Sequence, residues 1–459
     1  MDKRKLKIIL LSASALLLLA CVILCSKIVS WKKDAENGDI PVVSSNADLL
    51  TSTSAADTTP NITPSPEPVT YTEMTLLSTG DLIGHTPVIR SAQLSDGSYD
   101  FTQYTKYIND IVSSADYAVF NLESTIAGDE YGFEGYPTFN MPEATLTSMK
   151  DTGFDMCLFA NNHTYDYGHL GLINTQNNIN SSGLDYIGTR LDTESKSYRI
   201  IEANGIRLGL LNYTYETGDE GETVKFLNGI RLDTRSVPLV DSFNYNRLDK
   251  FYSEVKTRMD EMEKDGADAI VMYIHWGDEY SDYSNPSQNE IAQQLCNLGV
   301  DAIVGSHSHV VQESETLTSA DGTHRTMCYY STGNFLSNQG RYSLSRDPDG
   351  KTENSVLLLF TFRKYSTGEV VISNTDYVAT WVHRVASGSD PAYTIVPLEK
   401  ALANEDAKSY YGLYNGSDGV EQASAALKHL DGLLNEQVEV FNVGITLPYD
   451  DSEVTAAVD

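Results

Sequence analysis

Histidines, carboxylates and amides in this chain fall at a recurring place, directly after short apolar runs. Residues 75–79 run into Gly80-Asp81, residues 118–120 into Asn121-Leu122-Glu123, and residues 157–159 into Ala160-Asn161-Asn162-His163. Residues 271–274 lead to His275-Trp276-Gly277, and residues 302–304 to Gly305-Ser306-His307-Ser308-His309. If those runs are strands of an α/β sheet, the residues beyond their carboxyl ends are the ones that meet a ligand. Asp81, Glu123, Asn162, His275, His307 and His309 then form a mixed nitrogen and oxygen donor set without thiolate. That set suits divalent ions such as Zn²⁺, Mn²⁺, Fe²⁺ or Co²⁺. A bound ion acidifies water and a second can stabilise a developing oxyanion, so the chemistry expected is metal-dependent hydrolysis. Gly80 and Gly305 would let the backbone come close to the site. His307 and His309 both turn inward only if their segment is a loop or they share one strand face.

Each of these residues also has a plainer reading. A lone His after a strand is often a hydrogen-bonded structural residue, Asp81 could cap a helix, and Asn162 could cap a loop. His85, His169 and His324 are assigned to structural roles. Asp278 and Glu279 read as a solvated turn rather than as partners of His275. The 28 tyrosines mostly suit half-buried strand packing, with some left to line a groove, and Trp276 is expected to pack beneath the site. What favours the metal reading is the whole set, delivered in order by successive strands.

Residues 74–78, 117–120, 155–159, 207–211, 269–274 and 302–304 have strand character. They alternate with helical patterns at 101–113, 144–150, 170–180, 249–264 and 287–298, as in an α/β domain. Residues 353–362 and 369–373, joined by Tyr365-Ser366-Thr367-Gly368, read as an antiparallel hairpin, and residues 420–435 as a helix. Ahead of this domain, residues 8–25 carry no charge and are apolar but for Ser12 and Ser14, enough for about 27 Å of helix. Lys3, Arg4, Lys5 and Lys7 precede that run, which orients the remainder of the chain outward. Residues 1–33 are therefore expected to be a cytoplasmic tail and single-pass anchor, with the bulk of the chain extracytoplasmic at the cell membrane. No small-residue cleavage pattern ends the run, and Leu18-Leu19-Ala20-Cys21 only loosely resembles a lipidation site. Residues 34–70, rich in Ser, Thr, Asp and Pro, bury too little apolar surface to fold and read as a disordered spacer. Residues 71–400 form the main domain and 401–459 a helical extension with an acidic tail.

Lys plus Arg number 32 against 64 Asp plus Glu, a net charge of −32. This composition argues against a nucleic-acid-binding surface, which needs a basic stripe to displace counterions. Of five cysteines, Cys21 and Cys25 lie in the apolar run, and Cys157, Cys296 and Cys328 imply no disulfide framework.

Taken together and in order, the motifs resemble the bacterial capsule synthesis protein family, also called poly-γ-glutamate synthesis protein CapA. The resemblance covers roughly residues 74–335. It rests on Gly80-Asp81, Asn121-Leu122-Glu123, Asn161-Asn162-His163 with Asp166 and Gly168, His275-Trp276-Gly277, Gly305-Ser306-His307-Ser308-His309 and Gly333-Asn334-Phe335. That family in turn looks like the calcineurin-type metallophosphoesterases, which implies a four-layer α/β/β/α sandwich with one or two divalent ions of the Mn, Zn or Fe class. The resemblance implies Asp81 as a bridging ligand and Glu123 as a second carboxylate. It puts Asn162, His275 and His307 on one ion and His309 on the other. His163 would be the general acid, oriented by Asp166 because Thr164 stands where that superfamily often has Asp. Ile83 replaces the His that the superfamily places two residues after its first Asp.

The function implied is a membrane-anchored component of exopolymer biosynthesis, acting on an anionic polymer such as poly-γ-glutamate beside membrane-embedded synthesis subunits. Its alternative is a non-catalytic polymer-binding or assembly subunit of the same fold. A general secreted phosphatase is less well matched, since between Asn121 and Gly168 the only Lys or Arg is Lys150.

Overall fold

The computed structural model describes residues 69–387, 390–416, 418–434 and 455–456. The expected anchor at residues 8–25 lies outside them, as does nearly all of the spacer; among the described residues no helix is long and apolar enough to cross a membrane. Thr70, assigned to the spacer by composition, instead opens strand β1 (Thr70–Leu82), where Tyr71 pairs with Tyr365 across the sheet.

Strands β2 (Tyr117–Leu122), β3 (Met156–Leu158) and β4 (Asp185–Ile187) follow β1 in parallel order. A second sheet begins with the antiparallel pair β5 (Arg199–Ala203) and β6 (Ile206–Tyr215). A small hairpin of β7 (Phe226–Leu227) and β8 (Ile230–Arg231) precedes β9 (Ser242–Phe243), which pairs with β6. Strands β10 (Ala269–His275) and β11 (Ala302–Ser306) run parallel to β6, and β12 (Ser314–Thr318) and β13 (Arg325–Tyr329) complete this sheet. The chain then returns to the first sheet through β14 (Asn354–Tyr365), β15 (Val370–Ser387) and β16 (Asp390–Pro397), all antiparallel. The orders are β16-β15-β14-β1-β2-β3-β4 and β12-β13-β11-β10-β6-β5.

Strand alternation sorts side chains into separate cores. Leu76, Val119 and Leu358 of the first sheet meet Leu210, Val271 and Tyr273 of the second in one apolar cluster between the sheets. Their neighbours Leu77, Ala118 and Phe120 point the other way, onto helices α1 (Ala144–Thr152) and α2 (Gly168–Ser181). On the far face of the second sheet, Ile270, Met272 and Ile274 pack on α3 (Leu248–Lys264) and α4 (Pro286–Leu298). The layers thus run helices, sheet, sheet, helices. Burial on both faces explains why β10 reads Ala-Ile-Val-Met-Tyr-Ile-His with every residue buried. Helix α3 buries Phe251, Val255, Met259 and Met262, a stripe at helical spacing, each such side chain stabilising by about 1.5–3 kcal/mol. Helix α4 starts at a capping box of Asn285 and Gln288 with Pro286 in its first turn, and stops at Gly299 in the left-handed region.

Two expectations are adjusted. The single helix expected at 101–113 is two four-residue pieces, Thr102–Thr105 and Asn109–Val112; Thr, Tyr, Asn and Asp are weak helix formers, so packing of Tyr104, Ile108 and Ile111 decides the path. The helix expected at 420–435 is α5 (Gly419–Leu434), and its Ala423, Ala426 and Leu430 share the cluster that holds Ile372, Ala379 and Trp381.

The end of β11 lies close under the next crossover. A Cβ on Gly305 would stand 2.0 Å from Tyr330 O and 2.5 Å from Trp276 Nε1, inside the 3.0 Å hydrogen bond that Trp276 Nε1 donates to Tyr330 O. Gly305→Ala should therefore destabilise the full chain by about 1–3 kcal/mol or more, read as a lower urea midpoint; an unchanged midpoint would show that this approach is not tight.

Candidate metal centre

The parallel parts of both sheets end at the same edge, and the polar residues gather there. Asp81 lies near the end of β1, Glu123 directly after β2, Asn162 and His163 in the turn after β3, His275 closes β10, and His307 and His309 follow β11. All six expected donors are buried, as are His163 and Asp166. Two groups form. Donor atoms of Glu123, His275 and His307 lie within 4.8 Å of one another, and so do those of Asp81, Glu123 and His309. Asn162 joins the first group through its Oδ1, 2.7 Å from His275 Nε2. The carboxylate common to both groups is Glu123, whereas the resemblance implied Asp81.

Glu123 is the least compensated group in this edge. It is 0% exposed, and neither Oε1 nor Oε2 has a hydrogen-bond partner. His275 Nε2 stands 3.7 Å from Oε1, His163 Nε2 4.0 Å from Oε1, and His309 Nδ1 4.0 Å from Oε2. Burial, and next the neighbouring Asp81 carboxylate, push the Glu123 carboxyl well above its ordinary value of 4.5. His307 Nδ1 is likewise buried without a partner. Burial first, and then the neighbouring histidines, hold His275 and His307 well below the usual imidazole range. Neutral imidazoles beside an unpaired carboxylate, with His307 Nδ1 left unpartnered, are the arrangement that binds a metal.

Hydrogen bonds from neighbouring groups orient the other donors. Asp81 Oδ1 accepts from Asn121 Nδ2 at 2.7 Å, and Oδ2 accepts the His307 backbone N–H at 3.2 Å. His275 Nδ1 pairs with Ser306 Oγ at 2.8 Å, and His309 Nδ1 lies 3.1 Å from Asn334 Oδ1 and 3.3 Å from Asp81 Oδ2. Both histidines of the β11 loop have positive φ, 93° at His307 and 60° at His309, an uncommon conformation for non-glycine residues that concentrates at functional sites. It turns both rings inward, with centroids 5.9 Å apart. Gly80 is required on packing grounds, because a Cβ there would meet Gly333 O at 1.8 Å.

His163 Nδ1 pairs with Asp166 Oδ2 at 2.7 Å, and that carboxylate also accepts Phe139 N–H at 2.8 Å. The arrangement directs His163 Nε2 toward Glu123. Asn228, absent from the expected set, donates from Nδ2 to Asp166 Oδ1 at 2.9 Å. It stands with Gly229 at the tip of the β7–β8 hairpin, both at positive φ, 48° and 71°. Asn-Gly is the favoured two-residue hairpin turn, a signal present in the sequence.

Above the donors opens a pocket of about 310 Å³ whose lining includes His85, Phe139, Tyr280, Gln339 and Arg346. His85, expected to be structural, therefore faces the site. Burial, then the nearby His309 and His163, lower it to about 3, and its Nδ1 accepts the Asn338 backbone N–H at 3.3 Å. His169 pairs with Ser236 and His324 with the Val300 carbonyl, away from the donors. Asp278 and Glu279 are exposed, as expected of a solvated turn, although Glu279 borders the pocket. Tyr213, Tyr273 and Tyr330 are fully buried packing residues, and Trp276 is buried and stacked on Tyr330.

Two mixed sheets that converge carboxylates and histidines on one buried edge define an α/β protein with a candidate metal centre. The family model described as "Bacterial capsule synthesis protein PGA_cap" matches residues 75–339, more than half of the chain, and the chain belongs to that family. It is 28% identical over 273 residues to the capsule biosynthesis protein CapA of Bacillus anthracis, covering 58% of this chain and 61% of that protein. Against the PGA biosynthesis protein CapA of Bacillus subtilis (strain 168) it is 26% identical over 275 residues, covering 59% and 64%. The chain thus spans less than two thirds of either relative. A solved structure, the Thermus thermophilus sulfate thiohydrolase SoxB in complex with glycerol, is similar with a TM-score of 0.37 at 12% identity over 78% of this chain and 60% of that one. A likeness that low carries no argument.

The raised Glu123 carboxyl gives a test with a definite sign. With metal chelated, the unfolded chain releases this proton near the ordinary carboxylate value while the folded chain keeps it, so Glu123 lowers stability progressively as pH rises above about 4.5. Glu123→Gln removes that dependence. The stability difference between variant and wild type, from urea unfolding between pH 4.5 and 8.5, should grow with pH in favour of the variant; a flat difference would contradict the assignment.

Proposed function

We propose that this chain is a membrane-anchored, extracytoplasmic protein of capsule or exopolymer biosynthesis, of the poly-γ-glutamate type, with a hydrolytic metal site on a metallophosphoesterase-like α/β/β/α sandwich. The observation that carries the metal site is Glu123, buried with both oxygens unpartnered between two sets of imidazole and carboxylate donors. Glu123, Asn162, His275 and His307 would hold one divalent ion of the Mn, Zn or Fe class, and Asp81, Glu123 and His309 a second. Membership of the capsule synthesis family supports the polymer, and the apolar residues 8–25 with their basic flank support the anchor. Membrane-embedded synthesis subunits are the partners this location would supply.

When bound, the ions supply an acidified water and positive charge for a developing oxyanion. The chain's own residues do the rest. Asn121, Ser306 and Asn334 hold the donor side chains in register. Asp166 takes the Nδ1 proton of His163 as a hydrogen bond, so that a second proton on Nε2 points toward the Glu123 side and can pass to a leaving group. The bond cleaved is a phosphoester or an amide. One observation favours the non-catalytic alternative: Ile83 stands where the superfamily has a ligand, which leaves the Asp81 group three protein donors.

Metal analysis of the purified full chain should find two divalent ions, with His307→Ala losing one; a chain that carries no stoichiometric ion would overturn the metal reading. His163→Ala and Asp166→Asn should keep both ions yet lower turnover of a chromogenic phosphodiester or of poly-γ-glutamate by about 100-fold or more. Should the metal-loaded wild type cleave neither substrate while His163→Ala still impairs polymer export in cells, the binding or assembly role is the correct one.

A further inference from the structure

A chain with 32 Lys plus Arg against 64 Asp plus Glu has few cations to bring to an anionic substrate. Among the residues lining the pocket, Arg346 is the one Lys or Arg. It comes from beyond residue 339, where the family match ends, and its place is built. The guanidinium carbon stands 3.8 Å over the centre of the Tyr280 ring. Tyr280 is in turn tied to the donor loop, because its backbone N–H donates to Ser308 O at 2.7 Å. Its hydroxyl accepts from Gln339 Nε2 at 2.9 Å, its φ is 64°, and its ring lies 5.7 Å from that of His309.

Stacking fixes the plane of a guanidinium without using its N–H donors. One guanidinium donor also engages the Tyr280 side chain, and the remaining contact is loose, since Arg346 Nη2 lies 3.6 Å from Glu279 Oε2 with the side chains 60% and 42% exposed. Such a pair is worth about 0–1 kcal/mol. The edge of the fork that faces Glu279 can therefore exchange it for an incoming anion. A planar fork matches a carboxylate bidentately. Charge decides the class further. Arg346 balances a monoanion, whereas a phosphate dianion beside Glu279 would leave surplus negative charge. Phe139 and Tyr136, the latter 81% exposed, add apolar lining for methylene groups.

We propose that Arg346 is the substrate-binding cation of this pocket and receives a carboxylate that the substrate carries next to the bond placed over Glu123. The site is then built for monoanionic groups, such as the carboxylates of γ-linked glutamyl residues, rather than for the dianions of phosphate monoesters or free phosphate. This inference rests on the metal reading, because only bound ions would neutralise Glu123 and Asp81 enough for an anion to enter.

The test is calorimetric titration of the full chain in detergent, loaded with Mn²⁺, with a γ-glutamyl decamer and, separately, with inorganic phosphate. Arg346→Gln should weaken decamer binding by about tenfold or more with Mn²⁺ content unchanged, Arg346→Lys should fall between, and Glu279→Gln should bind more tightly. Phosphate affinity should change little in Arg346→Gln and Arg346→Lys, and should rise in Glu279→Gln. If the chain holds Mn²⁺ but wild type and Arg346→Gln bind the decamer equally, or wild type does not bind it, the carboxylate anchor is wrong and the metal reading survives. A phosphate affinity that falls as steeply as that of the decamer overturns the carboxylate preference. A wild-type chain that takes up no Mn²⁺ overturns the metal reading and the anchor together.

Discussion

Everything at the functional edge of this protein answers to one constraint, a pair of carboxylates held without water. Asp81 and Glu123 are both 0% exposed, and withdrawing a carboxylate from water costs several kcal/mol even after the surroundings relax. Asp81 recovers part of that cost through Asn121 and the His307 backbone. Glu123 has no hydrogen-bond partner, and no Lys or Arg side chain is in ion-pair contact with either among the described residues. A neutral hydrogen bond returns about 0.5–1.5 kcal/mol, too little to hold an ionised Glu123 there. Divalent cations match the deficit, and the imidazoles around it are kept neutral by the same burial.

The scaffold meets this constraint by making two sheets share one edge. β1, β2 and β3 bring the carboxylates, Asn162 and His163 from one side; β10 and β11 bring the three other histidines from the second sheet. The cluster between the sheets, with Tyr273 hydrogen-bonded to Ser78 at 2.9 Å, locks the two halves of the donor set together. Packing and chemistry are thus coupled: β10 is apolar on both faces until its last residue, His275, which leaves the core and enters the site.

Much of this was legible in the sequence, because apolar runs followed by single polar residues mark strand ends wherever a parallel sheet is buried on both faces. The same logic hid what depends on tertiary placement. That Glu123 and not Asp81 is shared by both donor groups is a relation between two sheets, which spacing along one strand does not encode. Edge strand β16 went unrecognised because Pro391 and Pro397 argue against a strand, although an edge position tolerates them. Asn228 carried a readable hairpin signal in Asn-Gly, yet nothing local says where that hairpin points. His85 lacks ligand spacing and still faces the pocket, while Arg346 lies in an irregular stretch with no motif and gains its place only through Tyr280.

The central claim, that an ionised Glu123 is stable in place only with divalent ions beside it, is tested most directly by thermal unfolding of the full chain at pH 8.5 with Mn²⁺ and with excess chelator. The account predicts that chelation lowers the wild-type midpoint by about 5 °C or more, while the midpoint of Glu123→Gln does not respond to either. Equal wild-type midpoints with and without Mn²⁺ would contradict it.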